Sequence, residues 1–205
     1  MQIDGVLPDA VTYICSLKAC RKLGDIEKGK EIHDYMEQQG VLENNTTIGN
    51  SLVGMYANSG ALMKAQEVFD RLRVPDVVSW NALISAYTEL GQFDEAIRLF
   101  DAMQLEGTIP DVVTFISVLK ACGKLGAVVK GQEIHDAIER RSLIENNVVV
   151  GSTLVEMYAN LGSLPKAQQV FDKLLIRGVV SWTALLAGYA QLGEFETVLY
   201  LFGNM

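Results

Sequence analysis

The sequence predicts an all-α fold, an α-solenoid built from stacked helix–turn–helix repeats. Three observations support this prediction: the chain repeats itself at a fixed spacing, its apolar residues recur at the helical period, and glycines follow the apolar stretches at regular places. No window of useful length alternates polar and apolar residues, so no strand is predicted. Two antiparallel helices of about 12 residues cannot bury their apolar faces alone, so neighbouring pairs must stack.

The fixed spacing is 102 residues. Residues 10–103 align with residues 112–205 without a gap, and 49 of these 94 positions are identical. A period at this level of identity marks a repeat architecture. Steps of 36, 31 and 35 residues divide the chain into the segments 10–45, 46–76, 77–111, 112–147, 148–178 and 179–205, the last one incomplete. Residues 1–9 match 103–111, so we expect them to be the tail of a segment that began earlier.

Segment 77–111 illustrates how each segment forms two helices. Its first apolar stripe has the spacing i, i+3, i+4, i+7, i+10 and consists of Trp80, Leu83, Ile84, Tyr87 and Leu90. The stripe of its second helix consists of Phe93, Ala96, Ile97, Phe100 and Met103. Gly91 lies between the two and is expected to end the first helix in the left-handed conformation. The equivalent stopping glycines are Gly24, Gly60, Gly126, Gly162 and Gly193.

Composition and charge restrict the classes of function. The net charge of −8 argues against binding nucleic acid by bulk electrostatics alone. The apolar runs are far shorter than the roughly 20 residues that span a bilayer, and no signal or transit segment opens the chain, so no membrane partner is predicted. The three cysteines, Cys15, Cys20 and Cys122, form no CxxC pair, which favours a reducing compartment.

The stretch VVSWNALISAYTELGQFDEAIRLFDAMQLEGTIPD at 77–111 closely resembles the pentatricopeptide repeat (PPR), a helix–turn–helix unit of 35 residues. The alternating segment lengths resemble its PLS subclass, in which standard (P), long (L) and short (S) motifs alternate. The L-type marks are LKAC-x-KLG and KG-x-EIHD, at 17–24 with 28–34 and at 119–126 with 130–136. The S-type marks are G-x-x-LV-x-MYAN-x-G and KAQ-x-VFD, at 49–60 with 64–70 and at 151–162 with 166–172.

The resemblance covers the whole chain and assigns a motif to each segment. The L motifs are 10–45 and 112–147, and the S motifs are 46–76 and 148–178. The P motifs are 77–111 and the incomplete 179–205, and residues 1–9 are the tail of another P motif.

The resemblance implies a right-handed superhelix that binds single-stranded RNA on its concave face, one base per repeat. Arrays of this type locate the target site for organellar RNA-editing or RNA-processing factors of plants. The chain is therefore expected in the chloroplast or mitochondrion, with its targeting peptide outside the sequence. In the family, the fifth and last residues of a motif together choose the base, and the second packs on its flat face. Two or three side chains per repeat then recognise one base.

Two segments carry the pair that resembles the family's choice of uridine: Asn50 with Asp76, and Asn81 with Asp111. An amide at the fifth position lies off the apolar stripe and can meet the Watson–Crick edge of a base. Each aspartate also precedes a helix and can be a simple N-terminal cap, worth about 1 kcal/mol. A cap alone does not explain the pairing with asparagine.

The other segments differ from that pair. Ser152 favours a purine, but Gly178 stands where Asp or Asn is expected. Thr183 also favours a purine, and the last residue of its segment lies beyond the sequence. The L motifs carry an isoleucine, which cannot hydrogen-bond a base edge, and are expected to select weakly or not at all; their pairs are Ile14 with Asn45 and Ile116 with Asn147.

Two further sets of residues are expected to contact RNA. The candidates for packing on the bases, for which ordinary protein packing is the alternative, are Val11, Thr47, Val78, Val113, Val149 and Val180. The candidates for phosphate contact, near the ends of first helices, are Lys22 and Lys124.

No cofactor, metal or enzymatic activity is predicted. Cys20 and His33 recur as Cys122 and His135, but no second pair completes four ligands, so these side chains are expected to pack between helices. The signature of a zinc deaminase is absent from the sequence, as are a P-loop and a nucleophile–base set.

An alternative function is a protein-interaction scaffold. In the family, multiple organellar RNA editing factor proteins bind PLS arrays through L motifs. The acidic charge and the isoleucines Ile14 and Ile116 favour this role. If the ends expose apolar helix faces, the isolated fragment is also expected to self-associate.

Overall fold

The computed structural model describes residues 7–41 and 45–205, which form α-helices joined by short turns and contain no strand. The all-α prediction is therefore confirmed for the described part of the chain. In chain order, the helices are α1 (Ala10–Leu23), α2 (Ile26–Gln38), α3 (Thr46–Asn58), α4 (Leu62–Asp70), α5 (Val77–Glu89), α6 (Phe93–Leu105), α7 (Val112–Leu125), α8 (Val128–Glu139), α9 (Leu143–Asn146), α10 (Val148–Asn160), α11 (Leu164–Lys173), α12 (Val179–Gln191) and α13 (Phe195–Gly203). Within the described ranges, none of them combines the length and hydropathy that a membrane crossing requires.

The chain divides into two compact units, each built from stacked helices. The first unit takes Met1–Leu90 and Leu99–Ile109, and the second takes Gly91–Arg98 and Pro110–Met205. In the first unit, α3 packs between α1 and α5, while α2 packs on α1 and α3 and α4 packs on α3 and α5. In the second unit, α10 packs between α7 and α12, with α8, α11 and α13 along them. Each unit therefore has the stacked helical pairs of an α-solenoid, as the sequence predicts.

Glycines end the first helix of each pair. Gly24 has φ 70° and Gly126 has φ 83°, and their N–H groups donate to the carbonyls of Cys20 and Cys122. The four other predicted stopping glycines, Gly60, Gly91, Gly162 and Gly193, also have positive φ. The left-handed conformation is strained for residues that carry a Cβ, which is why glycine recurs at these places.

Three residues of the apolar stripe of α5 lie in the core of the first unit, and a fourth, Tyr87, is half-buried. Leu83 and Ile84 are fully buried, and Trp80, only 2% exposed, meets the Phe69 ring edge-on with centroids 4.6 Å apart. Leu90, however, is 50% exposed, so its predicted core position is wrong. It is the residue that follows α5, where the chain leaves the helical path before Gly91.

The S segments replace an aromatic core residue by a leucine from their own end. The fourth residue is Gly49 or Gly151 in these segments, whereas the other segments place an aromatic there, namely Tyr13, Trp80, Phe115 and Trp182. A Cβ on either glycine would overlap a leucine methyl group, of Leu72 or Leu174 respectively. The leucine therefore occupies the space that an aromatic ring fills elsewhere.

The two histidines pack between helices, as the sequence predicts. His33 Nδ1 lies 2.9 Å from the hydroxyl of Tyr56, and His135 Nδ1 lies 2.8 Å from that of Tyr158. Burial raises the pKa of both tyrosines to about 12, so they stay protonated. Their hydroxyl groups can then donate to a neutral imidazole.

Each imidazole also faces a carboxylate on its own helix, and that carboxylate pairs with a cation from another part of the chain. His33 Nε2 lies 3.6 Å from Glu37, which pairs with Arg71 just after α4, and His135 Nε2 lies 3.5 Å from Glu139. Glu139 pairs with Lys173 of α11 at 2.7 Å. Burial nevertheless outweighs the carboxylates and lowers the pKa of both histidines below the ordinary 6.5.

We expect the protein to lose stability as the pH falls below about 6.5, the ordinary pKa of histidine. In that range the unfolded chain binds protons at His33 and His135 before the folded chain does, so the free energy of unfolding rises with pH. The loss of stability begins near pH 6.5 and levels off below the pKa that the two histidines have in the folded chain. Urea unfolding at several pH values should show this slope, and the double variant His33→Gln/His135→Gln should flatten it, because the sequence has only these 2 histidines. An unchanged slope in the variant would assign the titration to other groups.

Candidate nucleic-acid interface

The second residues of the segments lie exposed near the start of each first helix. The valines Val11, Val78, Val113, Val149 and Val180 are between 49% and 65% exposed, and Thr47 is exposed as well. Side chains this exposed contribute little to the protein core. Their apolar surface is therefore available to pack against a ligand, and the alternative of ordinary packing is disfavoured for these residues.

Asn50 and Asp76 lie in direct contact although 26 residues separate them in sequence. Asn50 Nδ2 lies 2.9 Å from each carboxylate oxygen of Asp76 and donates to them. Ser79 joins the pair from the first turn of α5, because its hydroxyl is 2.6 Å from Asn50 Oδ1 and 3.0 Å from Asp76 Oδ1. The packing of α3 against α5 brings the three residues together.

Asp76 also caps α5. Its carboxylate accepts from the backbone N–H groups of Val78 and Ser79, each at 3.0 Å, and its own N–H donates to the Ser79 hydroxyl at 3.1 Å. Burial raises the pKa of Asp76, but the hydrogen bonds from Ser79, Asn50 and Val78 together hold it below its ordinary value. The carboxylate thus stays ionised and performs two tasks, as helix cap and as partner of Asn50.

The second pair of residues predicted to select uridine is divided between the two units. Asn81 is half-buried on α5 of the first unit. Asp111 precedes α7 of the second unit and forms the same capping box, with Thr114 in the place of Ser79. The Thr114 hydroxyl lies 3.1 Å from the Asp111 carboxylate.

A surface groove of about 300 Å³ crosses the first helices of the second unit. It is lined by five predicted site residues, namely Ile116, Val149, Ser152, Gly178 and Val180. Lys120 and Glu156 also line it, and the sequence interpretation did not include them. Lys120 lies one helical turn beyond Ile116, and this i+4 spacing was the available signal. The groove thus combines apolar and polar surface with one cationic and one anionic side chain, Lys120 and Glu156.

Gly178 places no carboxylate at the position in this groove that corresponds to Asp76. Its backbone, at φ −83° and ψ 169°, is extended like that of Asp76, at φ −102° and ψ 176°, but α12 has no side-chain cap. The Ser181 hydroxyl donates to the Gly178 carbonyl at 2.8 Å instead. Ser152 therefore faces a different neighbourhood from Asn50.

The L segments use their last residue as a helix cap. Asn45 accepts from the N–H of Ile48 at 3.2 Å, and Asn147 accepts from Val149 and Val150 at 3.0 and 3.1 Å. The isoleucines at the fifth positions, Ile14 and Ile116, are half-buried. The contact between amide and carboxylate seen for Asn50 has no chemical counterpart at an isoleucine.

The remaining predicted residues are exposed. Lys22 and Lys124 lie in the last turns of α1 and α7, and Thr183 lies in α12. Among the described residues lining the groove of the second unit, Lys120 supplies the cation and Lys124 does not take part. In the same described part, no group of three or more His, Cys, Asp or Glu side chains is arranged to hold a metal ion.

Fold and site together define a helical-repeat protein in which each unit carries exposed apolar side chains with polar ones near them. Three family descriptions match the sequence: the PPR repeat family at 75–124, the PPR repeat at 50–74, 152–179 and 180–205, and the pentatricopeptide repeat domain at 1–58. The chain belongs to the pentatricopeptide repeat family.

Curated relatives come from Arabidopsis thaliana. The putative pentatricopeptide repeat-containing protein At3g28640 is 35% identical over 93% of this chain, and the pentatricopeptide repeat-containing protein At5g16860 is 38% identical over 97%. A third relative, At1g08070, whose name carries the word chloroplastic, is 36% identical over the whole chain. The chain spans 38%, 23% and 28% of these proteins, respectively.

Solved structures share the fold. The pentatricopeptide repeat protein PPR10, in complex with an 18-nt psaJ RNA element, matches all of this chain and 36% of its own, with a TM-score of 0.65 and 21% identity. Another PPR10 structure, from maize, has a TM-score of 0.61 and 20% identity over all of this chain and 34% of its own. The nuclear proteinaceous RNase P 2 of A. thaliana matches 87% of this chain and 41% of its own, with a TM-score of 0.67 and 16% identity.

Proposed function

We propose that this chain recognises single-stranded RNA, one base per segment, as part of the site-recognition array of an organellar RNA-editing or RNA-processing factor. The observation that carries the proposal is the contact between Asn50 and Asp76. Asn50 and Asp76 come from different ends of one segment and are held together at the surface. Thr47, the second residue of that segment, is exposed on the same helix as Asn50. Family membership and the RNA bound to PPR10 support the class of ligand.

The acidic charge of the chain is compatible with this mode of binding. Contacts to base edges and base faces need few cations, whereas phosphate-dominated binding needs many. The PLS assignment, with segments 10–45 and 112–147 contributing little selectivity, is part of the same proposal. The name of the chloroplastic relative supports an organellar location, either chloroplast or mitochondrion.

We expect the chain to bind an RNA with two adjacent uridines at the positions of segments 46–76 and 77–111 better than the same RNA with two guanosines. A mismatched base costs about 1–3 kcal/mol in specific nucleic-acid recognition, so affinity should fall by about tenfold or more. Fluorescence anisotropy at low and moderate salt measures the affinity for each RNA. The variant Asn81→Thr should shift preference at one position from uridine toward a purine and leave the other unchanged. Equal affinity for both RNAs would overturn the proposal.

A second candidate is protein binding through the L segments. The observation in its favour is that Asn45 and Asn147 are engaged as helix caps and that Ile14 and Ile116 offer no polar group. The expected partners are multiple organellar RNA editing factor proteins. Calorimetric titration with such a partner, in the absence of RNA, distinguishes this function from base recognition.

A further inference from the structure

The hydroxyl of Ser79 fixes which way the side-chain amide of Asn50 faces. The amide nitrogen donates to the Asp76 carboxylate, and the amide oxygen accepts from Ser79 at 2.6 Å. If the amide were turned over, its oxygen would face the carboxylate, where two acceptors repel each other. Asp76 alone thus favours one orientation, and in this orientation the Ser79 hydroxyl, which lies closer to Asn50 Oδ1 (2.6 Å) than to Asp76 Oδ1 (3.0 Å), donates to the amide oxygen as well.

This orientation determines what Asn50 presents to a base. Seen from the amide nitrogen, the two oxygens of a carboxylate are separated by a smaller angle than the two N–H bonds of the amide. One N–H of Asn50 therefore donates to both oxygens of Asp76. The second N–H is directed away from Asp76, and Asn50 Oδ1 keeps a second lone pair beside the Ser79 contact. A fixed donor and a fixed acceptor side by side can distinguish base edges, whereas a rotating amide presents either group at either place.

The type of residue at the third position of a segment depends on the motif class of the segment before it. A hydroxyl follows each S or P segment: Thr12, Ser79, Thr114 and Ser181. After the two L segments, Ile48 and Val150 occupy this position, and both are fully buried. Where a carboxylate precedes the hydroxyl, the two bond directly, as Thr12 does with Asp9 at 2.7 Å and Thr114 with Asp111 at 3.1 Å.

We infer that Ser79 is a third specificity-determining residue of segment 46–76, supplied by the following segment, and that it acts by positioning the amide of Asn50. This inference rests on the proposed function, base recognition by Asn50 and Asp76. Recognition of this base then depends on three residues, Asn50, Asp76 and Ser79, and the last of them belongs to the next segment. A cap role alone would make the Ser79 hydroxyl relevant to stability but not to the choice of base.

The test measures base preference at one nucleotide in variants of Ser79. We expect Ser79→Ala to reduce the preference for uridine over cytidine and guanosine at the position of segment 46–76 by about tenfold. Preference at the position of segment 77–111 should stay unchanged. Ser79→Thr should retain selectivity, because Thr114 occupies the same place three residues after Asp111. Ser181→Ala is the matched control, since the Ser181 hydroxyl donates to the Gly178 carbonyl, and it should leave base preference unaltered.

A second measurement does not depend on RNA. In the free protein, the two N–H resonances of the Asn50 side chain should be distinct in wild type and in Ser79→Thr. In Ser79→Cys, whose thiol is a weak donor of similar shape, the chemical shifts of these two resonances should converge and their exchange should become faster. Unchanged resonances in Ser79→Cys, or full uridine preference in a folded Ser79→Ala, would overturn the inference. Wild-type protein without any base preference would instead overturn the proposed function.

Discussion

Replacement of Trp80 by alanine is expected to lower the free energy of unfolding of the first unit by about 3–5 kcal/mol. The side chain is 2% exposed and its ring contacts Phe69 edge-on at 4.6 Å. Removing the indole leaves a cavity that the stacked helices cannot close, since α5 is held by both α3 and α4. Urea unfolding followed by circular dichroism measures the loss.

Val78 offers a control on the same helix. It is 57% exposed, two residues before Trp80, so Val78→Ala should change stability by less than about 0.5 kcal/mol. The duplicate residue Trp182 packs on Phe171 with the same 4.6 Å separation. Trp182→Ala is therefore expected to destabilise the second unit by a similar amount. A loss below about 1 kcal/mol for Trp80→Ala would contradict the core position of this residue.

The helices and their ends were predictable because they depend on local sequence. The spacing of Trp80, Leu83 and Ile84 places three side chains on one face of a helix, whatever packs against them. Gly91 stops a helix because its backbone is unrestricted. Leu90 was mispredicted for the same local reason: the periodic pattern extends through it, but the chain has already left the helix there.

The side-chain contacts between segments were not predictable in the same way. Nothing near Ser79 in sequence indicates that its hydroxyl contacts Asn50, 29 residues earlier. Likewise, the leucines that fill the space beside Gly49 and Gly151 come from the far ends of their segments. Such contacts depend on how two helices pack, which a single sequence does not specify residue by residue.

The internal duplication separates packing from recognition. Phe69 and Trp80 recur unchanged as Phe171 and Trp182, with the same ring separation. Asn50 and Asp76, in contrast, recur as Ser152 and Gly178. Core side chains cannot change without a cavity or a clash, whereas the half-exposed positions can. Residues that differ between two otherwise matching copies are therefore the best candidates for a difference in ligand.

Replacement of Asp76 is expected to affect stability and base choice together. Asp76→Ala removes a capping box and should cost about 1–2 kcal/mol of stability. It also frees the Asn50 amide, so uridine preference at the position of segment 46–76 should fall by about tenfold. Urea unfolding and anisotropy with single-nucleotide variants of one RNA measure the two effects separately.

Asp76→Asn distinguishes the two tasks of this residue. An asparagine oxygen caps a helix about as well as a carboxylate does, so most of the stability should be retained. The neutral amide offers Asn50 Nδ2 one acceptor where the carboxylate offered two and a charge, so the uridine preference should weaken nonetheless. Full preference in Asp76→Asn would mean that the charge of Asp76 serves only the helix and that Asn50 is oriented without it. A loss of both properties would mean that the cap itself requires the ionised group, and base choice would then follow from the position of α5.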